Sequence, residues 1–295
     1  MDRGIDRDEQ QVPDIEQALS ERGVNPREIL GPALPSRDHA LIRERGYTYR
    51  LSTSELETMY DIGRFRTLSV ADLTHHRYQG DVTRMQRDLR ALRAQGIVQP
   101  RTVWNGPTSR KLDVVVLTKL GKQLLERHGP HAKSDASLPA PQAIYAGFVK
   151  PAEVRHDAAI YRMYHAAAVR IAKQGGVIRR VILDYELKKN VYTPLAKAKQ
   201  RSPAEYAKQQ AAVAQANGLK VIGGKIPLPD LRIEYQTAGG GLARVDLELA
   251  THHYHGSHLQ AKAAAGFMFY AADGSAAHLT RVLEERDIIA TILSL

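Results

Sequence analysis

The chain of 295 residues contains no cysteine. Disulfide frameworks, thiolate metal sites and thiol nucleophiles are therefore excluded at the outset. It has no apolar run of membrane-spanning length, and its opening MDRGIDRDEQQ lacks the apolar stretch of a secretion signal. The expectation is a cytoplasmic protein with no membrane partner. No Gly-x-Ser-x-Gly elbow occurs. TAGGGLA lies between two predicted strands with no Walker lysine after it, so it reads as a hairpin turn rather than a phosphate loop. Tryptophan (1) and phenylalanine (4) are scarce beside 13 tyrosines. Most of those tyrosines fall at core spacing, and the rest offer stacking surfaces for unpaired bases.

What is present is basic charge. Lys and Arg number 42 against 32 Asp and Glu, a formal net charge of +10, and the isoelectric point is about 9.7. Such a balance favours polyanionic partners, nucleic acid first and anionic membrane second, although a merely basic soluble protein has the same numbers. The length suits two domains, and 43% hydrophobic residues suffice for a real core.

Composition divides the chain into four parts. Residues 1–50 mix both charges with Pro and Gly and read as a flexible arm. Residues 51–128 carry helical periodicity, 129–152 are a Pro/Ala/Ser linker, and 153–295 alternate helices and strands. SELETMYDIGRF opens with a capping box at Ser54, and SVADLTHHRY forms a second helix capped by Ser69. A third helix runs from about Asp81 to Gln95 and stops at Gly96. Its Met85, Leu89 and Leu92 form a core face, while Arg84, Arg87 and Arg90 lie opposite. GIVQPRTVW and KLDVVVLT follow as strands around NGPTSRK. Three helices and a basic hairpin make a winged helix-turn-helix, whose third helix enters a major groove of double-stranded DNA. Arg84, Arg87 and Arg90 would meet phosphates or guanine edges; Arg110 and Lys111 in the wing would meet phosphates or the minor groove. Such modules often read symmetric sites as pairs, which leaves a homodimer open.

In the second half, HDAAIYRMYHAAAVRIAKQ predicts a helix, GVIRRVILDYE a strand, and residues 193–217 a polar helical region. PLPDLRIEY and ARVDLELA read as strands, Ser257–Ala272 as a helix, and the final twenty residues as helical. Alternation puts Asp230, Arg232 and Glu234 on one face and Asp246, Glu248 and Ala250 on one face. If the strands pair across QTAGGGL, carboxylates gather where magnesium or manganese could activate water against a phosphodiester. The competing reading pairs those acids with Arg232 and Arg244.

The order helix, strand, strand with PD, strand with ELA, helix is similar to the core of the PD-(D/E)xK nuclease superfamily. That resemblance implies a restriction-endonuclease-like α/β (α+β) fold in which Asp230 and Glu248 bind metal. The lysine expected two residues after the Glu is replaced by Ala250; the resemblance implies Lys262 on the next helix as a migrated counterpart, and Glu186 as an added ligand. Residues 54–295 as a whole resemble the replication-relaxation family of plasmids and mobile elements. The resemblance rests on the basic third helix, His156, LDYELKK, LPD, LELAT and Lys262 followed by FMFY. It implies a winged helix joined to a degenerate nuclease-like domain, with a role in replication, relaxation or transfer. THHYHGSH adds His252, His253, His255 and His258 beside the acids. These histidines read as metal ligands, as phosphate contacts, or as polar residues at a junction; a relaxase-type site with Tyr254 or Tyr270 fits poorly. Two functions stay open. One is a DNA-binding accessory factor that has lost its chemistry, favoured by Ala250. The other is a metal-dependent endonuclease or nickase, favoured by the retained acids.

Overall fold

The structure is a computed structural model that describes residues 40–104, 111–129, 141–148, 150, 153–198, 202–250, 256–271, 276–284 and 292–294. It is mixed α/β. No described helix is long and apolar enough to cross a membrane.

The sequence assigns everything before residue 51 to an arm, but β1 (Ala40–Glu44) and β2 (Tyr47–Leu51) pair antiparallel. Alternation drops Ile42 and Leu51 into the core. Glu44 is buried at the foot of the hairpin, where Arg127 donates to it at 2.5 Å and His128 stands at 3.5 Å. Residues 1–39 lie outside the described residues.

Helix α1 (Thr53–Phe65) is capped by Ser52 rather than Ser54. The Glu55 N–H donates to Ser52 Oγ at 3.2 Å and the Ser52 N–H to Glu55 Oε2 at 2.6 Å, a reciprocal box two residues earlier than expected. Ser54 is drawn away to donate to Asp88 at 2.6 Å. A short strand β3 (Leu68–Ser69) leads to α2 (Val70–Tyr78), capped by Ser69 as the sequence suggests. Helix α3 (Val82–Ala94) is capped by Asp81, and Gly96, at φ +70, takes the left-handed conformation that ends it. Strands β4 (Val98–Val103) and β5 (Leu112–Leu117) form the hairpin, with β3 on the far edge of β5, and α4 (Lys119–His128) follows.

The second half opens with α5 (Val154–Lys173), whose long apolar stripe is buried. Strand β6 (Val177–Leu183) ends sooner than expected, because Asp184 already starts α6 (Asp184–Ala198). A second helix, α7 (Pro203–Ala216), packs on α6 around Val191, Leu195, Val213 and Ala214, so the pair has a small core of its own. Strands β7 (Leu231–Gln236) and β8 (Leu242–Ala250) form the hairpin expected across QTAGGGL. Helix α8 (Gly256–Ala265) then stops at Gly266, φ +93, and FMFY forms β9 (Met268–Ala271) parallel to β8. The predicted helix to residue 272 is thus cut short by a strand. After α9 (Ala276–Glu284), β10 (Ile292–Ser294) adds a second strand where the sequence suggests helix. The sheet order is β10-β9-β8-β7-β6.

The two halves share one core. Phe65 of α1 sits 5.0 Å from Tyr161 and 4.8 Å from Tyr164 of α5, centroid to centroid. Between them Asp61, buried, accepts from Arg64 at 2.9 Å and from the Tyr161 hydroxyl at 3.1 Å. Residues 141–148 of the expected linker have neither helix nor strand, yet they are docked to both halves. Tyr145 N–H donates to Gly63 O at 2.7 Å and Gly147 N–H to Leu117 O at 2.8 Å. Gln142 exchanges two bonds with the Val181 backbone, at 2.8 and 2.9 Å. Gly63 is needed there, since a Cβ would meet Leu117 at 2.8 Å and Ile144 at 2.9 Å.

At the same seam His76 of α2 stacks on His165 of α5, centroids 4.2 Å apart and 5° from parallel. Burial, then the charges of His75 and Arg162, hold His76 down at about 4. Burial first, and then His76, push His165 well below its ordinary range. In the unfolded chain both histidines protonate near about 6.5. The unfolded state therefore binds more protons in acid, and stability is fully present above pH 6.5 and drains away as pH falls toward 4. Urea unfolding at pH 7 and pH 4.5 should show this loss, and His76→Phe should shrink it; an equal loss in the variant would clear the pair of responsibility.

Candidate functional site

The Pro229–Asp230 step places Asp230 at the mouth of β7. Its Oδ2 accepts from the Leu249 N–H of the neighbouring strand at 2.9 Å, which fixes the carboxylate against β8. Leu231 is registered with Leu247, so the next pair along is Asp230 with Glu248. Glu248 is fully buried. Lys262, from α8, crosses the end of the sheet and bonds Glu248 Oε1. The three residues singled out in the sequence are brought together, since the Lys262 charge is also felt at Asp230.

Further groups complete the cluster. His156, in the first turn of α5, holds Nε2 3.3 Å from Asp230 Oδ2 and Nδ1 3.5 Å from Asp157 Oδ1. Burial would lower its pKa, but the hydrogen bonds and charges of Asp157 and Asp230 raise it to about 10, so at neutral pH it is an imidazolium. Burial likewise would raise Asp230. The bond and charge of His156, the Lys262 charge and the Leu249 amide outweigh it and keep the carboxylate below its usual range. Asp184 accepts from Lys188 at 2.5 Å, and the Asp184 N–H donates to Asp230 O at 3.1 Å. Lys188 loses to burial, yet Asp184 and then Asp230 hold its pKa up. Acids Asp157, Asp184, Asp230 and Glu248 thus interleave with cations His156, Lys188 and Lys262.

Other expected participants stand elsewhere. Glu186 leaves the strand on the first turn of α6 and is taken by Arg180, which also stands 3.9 Å from Glu234. Of these two acids it is Asp184, through its backbone N–H, that contacts Asp230. Asp246 is gripped by Arg232 at 2.6 and 2.9 Å, the pairing that the competing reading foresees. Ala250 is fully buried against Leu259, Phe269 and Leu279, so position 250 is core beneath α8, and Lys262 reaches Glu248 from above it. His258 is exposed on α8; His252, His253 and His255 lie outside the described residues. Among the described residues no group of three or more His, Asp or Glu side chains stands at metal-binding spacing. Asp230 and Glu248 are the hard oxygen donors that magnesium or manganese would take.

The second candidate surface is α3. Arg84, Arg87 and Arg90 are all exposed. Met85 and Leu92 are buried and Leu89 partly so, as the wheel predicts. Asp88 is the residue that sequence reasoning misses. It is buried and accepts from Ser54 at 2.6 Å and Tyr78 at 3.2 Å, and it holds Arg87 through Nε at 3.2 Å and Nη2 at 3.1 Å. Arg90 Nε donates to Gln86 O at 3.1 Å, and Arg84 lies 6.0 Å over the Tyr78 ring. Lys111 is exposed and 3.4 Å from Asp113; Arg110 lies outside the described residues. Trp104, at the end of β4, is 67% exposed.

His156, Asp184 and Lys188 carry weak sequence signals. The i, i+4 spacing of Asp184 and Lys188 within LDYELKK predicts their pair, whereas nothing local ties His156 to Asp230. Comparison with protein-family models, curated proteins and solved structures finds no match for this chain.

Proposed function

We propose that this is a DNA-binding protein of the plasmid or mobile-element kind, with a winged helix formed by α1–α4 and a PD-(D/E)xK-like nuclease centre at the mouth of β7 and β8. The observation that carries the reading is the meeting of Asp230, Glu248 and Lys262, delivered by three different elements to one end of the sheet. Helix α5, the antiparallel strands β6, β7 and β8 with α6 and α7 inserted between the first two, helix α8 and the parallel strand β9 support the same reading. Asp230 and Glu248 would hold magnesium or manganese, which supplies Lewis acidity and a water of lowered pKa. Lys262, anchored on Glu248, would orient the attacking water and offset charge on the phosphate as the P–O bond breaks. Conversion of supercoiled plasmid to nicked or linear form, dependent on metal and stopped by chelator, tests it.

A second reading, an accessory factor in replication, relaxation or transfer that binds DNA without cutting, is favoured by Ala250 and by His156, whose charge already neutralises Asp230. Both readings share the duplex-binding surface. Replacing Arg84, Arg87 and Arg90 with Ala should weaken duplex binding and reduce the salt slope by about three units if all three touch phosphate. Fluorescence anisotropy across a salt series reads both quantities, and an unchanged slope removes α3 from the interface.

A further inference from the structure

Beside the acids, α6, α7 and α8 enclose a cleft of about 540 Å³, within the range that holds a small organic ligand. It opens onto the centre described above, because Lys262 belongs to both. Tyr192 also stands close enough to Lys188 for their charges to interact, and Lys188 in turn feels Asp230. The walls carry Tyr192, Tyr206, Lys225, His258 and Lys262, with Gln210 at the back. Tyr192 is 54% exposed on a helix that already has a buried face, so its ring contributes little to the fold. Lys225 is held in place. Ile222 and Lys225 bridge a turn through Gly223 (φ +55) and Gly224 (φ +72), and Gln210 Nε2 ties the turn down by donating to Gly224 O at 2.9 Å.

Aromatic faces, two lysines and a histidine around an otherwise apolar cavity match one nucleotide: a flat base to stack and an anionic phosphate to neutralise. A Watson–Crick pair leaves neither base face open, so a base can enter only when it is unpaired. We infer that this cleft receives a single unpaired nucleotide of the DNA bound at the adjoining centre, its base against Tyr192 and Tyr206 and its phosphate toward Lys225, His258 and Lys262. The inference rests on the DNA-binding reading above and narrows its substrate to DNA that is nicked, bulged or locally melted.

The full chain, in chelator so that nothing is cut, is titrated into three fluorescein-labelled duplexes of one sequence. One is fully paired, one carries a single unpaired thymidine, and one carries an abasic residue at the same place. The unpaired thymidine should bind about tenfold tighter than the other two, a modest return for one stacked base. Tyr192→Ala and Lys225→Ala should each erase most of that preference and leave paired-duplex affinity unchanged, while Tyr192→Phe should retain it. Equal affinity for the thymidine and abasic bulges, or a preference that survives Tyr192→Ala, overturns the assignment of the cleft alone. Absence of binding to any of the three overturns the DNA-binding reading and this inference with it.

Discussion

Glu248→Gln should abolish metal-dependent nicking of supercoiled plasmid, a loss of at least about 100-fold by comparison with lesser disturbances of metal sites. The carboxylate is fully buried and is bonded by Lys262. The amide keeps its shape, so the fold is retained while a hard anionic donor disappears. Asp230→Asn should do the same, since it also removes the charge that His156 and Lys262 face. Lys262→Ala should reduce cutting strongly without touching duplex affinity, which the proposal assigns to the arginines of α3. Far-ultraviolet circular dichroism on each variant separates lost chemistry from lost structure. Wild-type protein that leaves plasmid intact with magnesium and manganese across pH would rule out the cutting reading and favour the accessory one.

Asp61→Ala should destabilise the whole molecule by about 3–5 kcal/mol, the cost of breaking a buried ion pair from one side. Asp61 accepts from both Arg64 and Tyr161, and the Arg64 guanidinium is itself buried, over the rings of Tyr60, Phe65 and Tyr164 at 4.8–5.0 Å. Removing the acid strands that cation among aromatics, a large fraction of the 5–15 kcal/mol that holds a typical domain. Replacing the pair together, Asp61→Leu with Arg64→Met, should recover much of the loss, because uncharged partners of similar volume need no desolvation. Urea titration of the single and double variants provides the cycle. A double variant as weak as the single one would mean that the hydrogen bond to Tyr161, rather than the stranded charge, is what matters.

Some of this was visible in the sequence. The two faces of α3 follow from 3.6-residue spacing, and β7 and β8 from strict alternation, because both patterns are local. Asp88 hides in the same helix because a buried acid is recognisable only from its partners, and Ser54 and Tyr78 come from two other helices. The capping box was displaced by that same demand: Ser54 serves Asp88, so Ser52 takes the cap. The sequence extends the helix through strand β9 because KAAAG runs without a break into four apolar residues, and only the conformation of Gly266 separates them. Pro, Ala and Ser around residue 140 suggest a linker, whereas residues 141–148 are docked to both halves, which composition does not reveal. Asp230, Glu248 and Lys262 were legible through the order of elements. The Asp184–Lys188 pair follows from local spacing, but the approach of His156 to Asp230 required the sheet to be assembled first.

The seam of Asp61, Arg64, Phe65 and Tyr161 has a metrical consequence. A flexible tether would let the acids search along bound DNA, and any cuts would scatter. Here α1 is wedged against α5 and residues 142–147 are bonded to both halves, so the interval from the arginine helix to Glu248 is a constant. DNA gripped by α3 would meet the acids at one offset and on one face of its helical repeat of about 10 base pairs. On the duplex-binding proposal such a chain would act as a gauge, and inserting half a turn of duplex between the gripped and the worked positions should throw it out of phase.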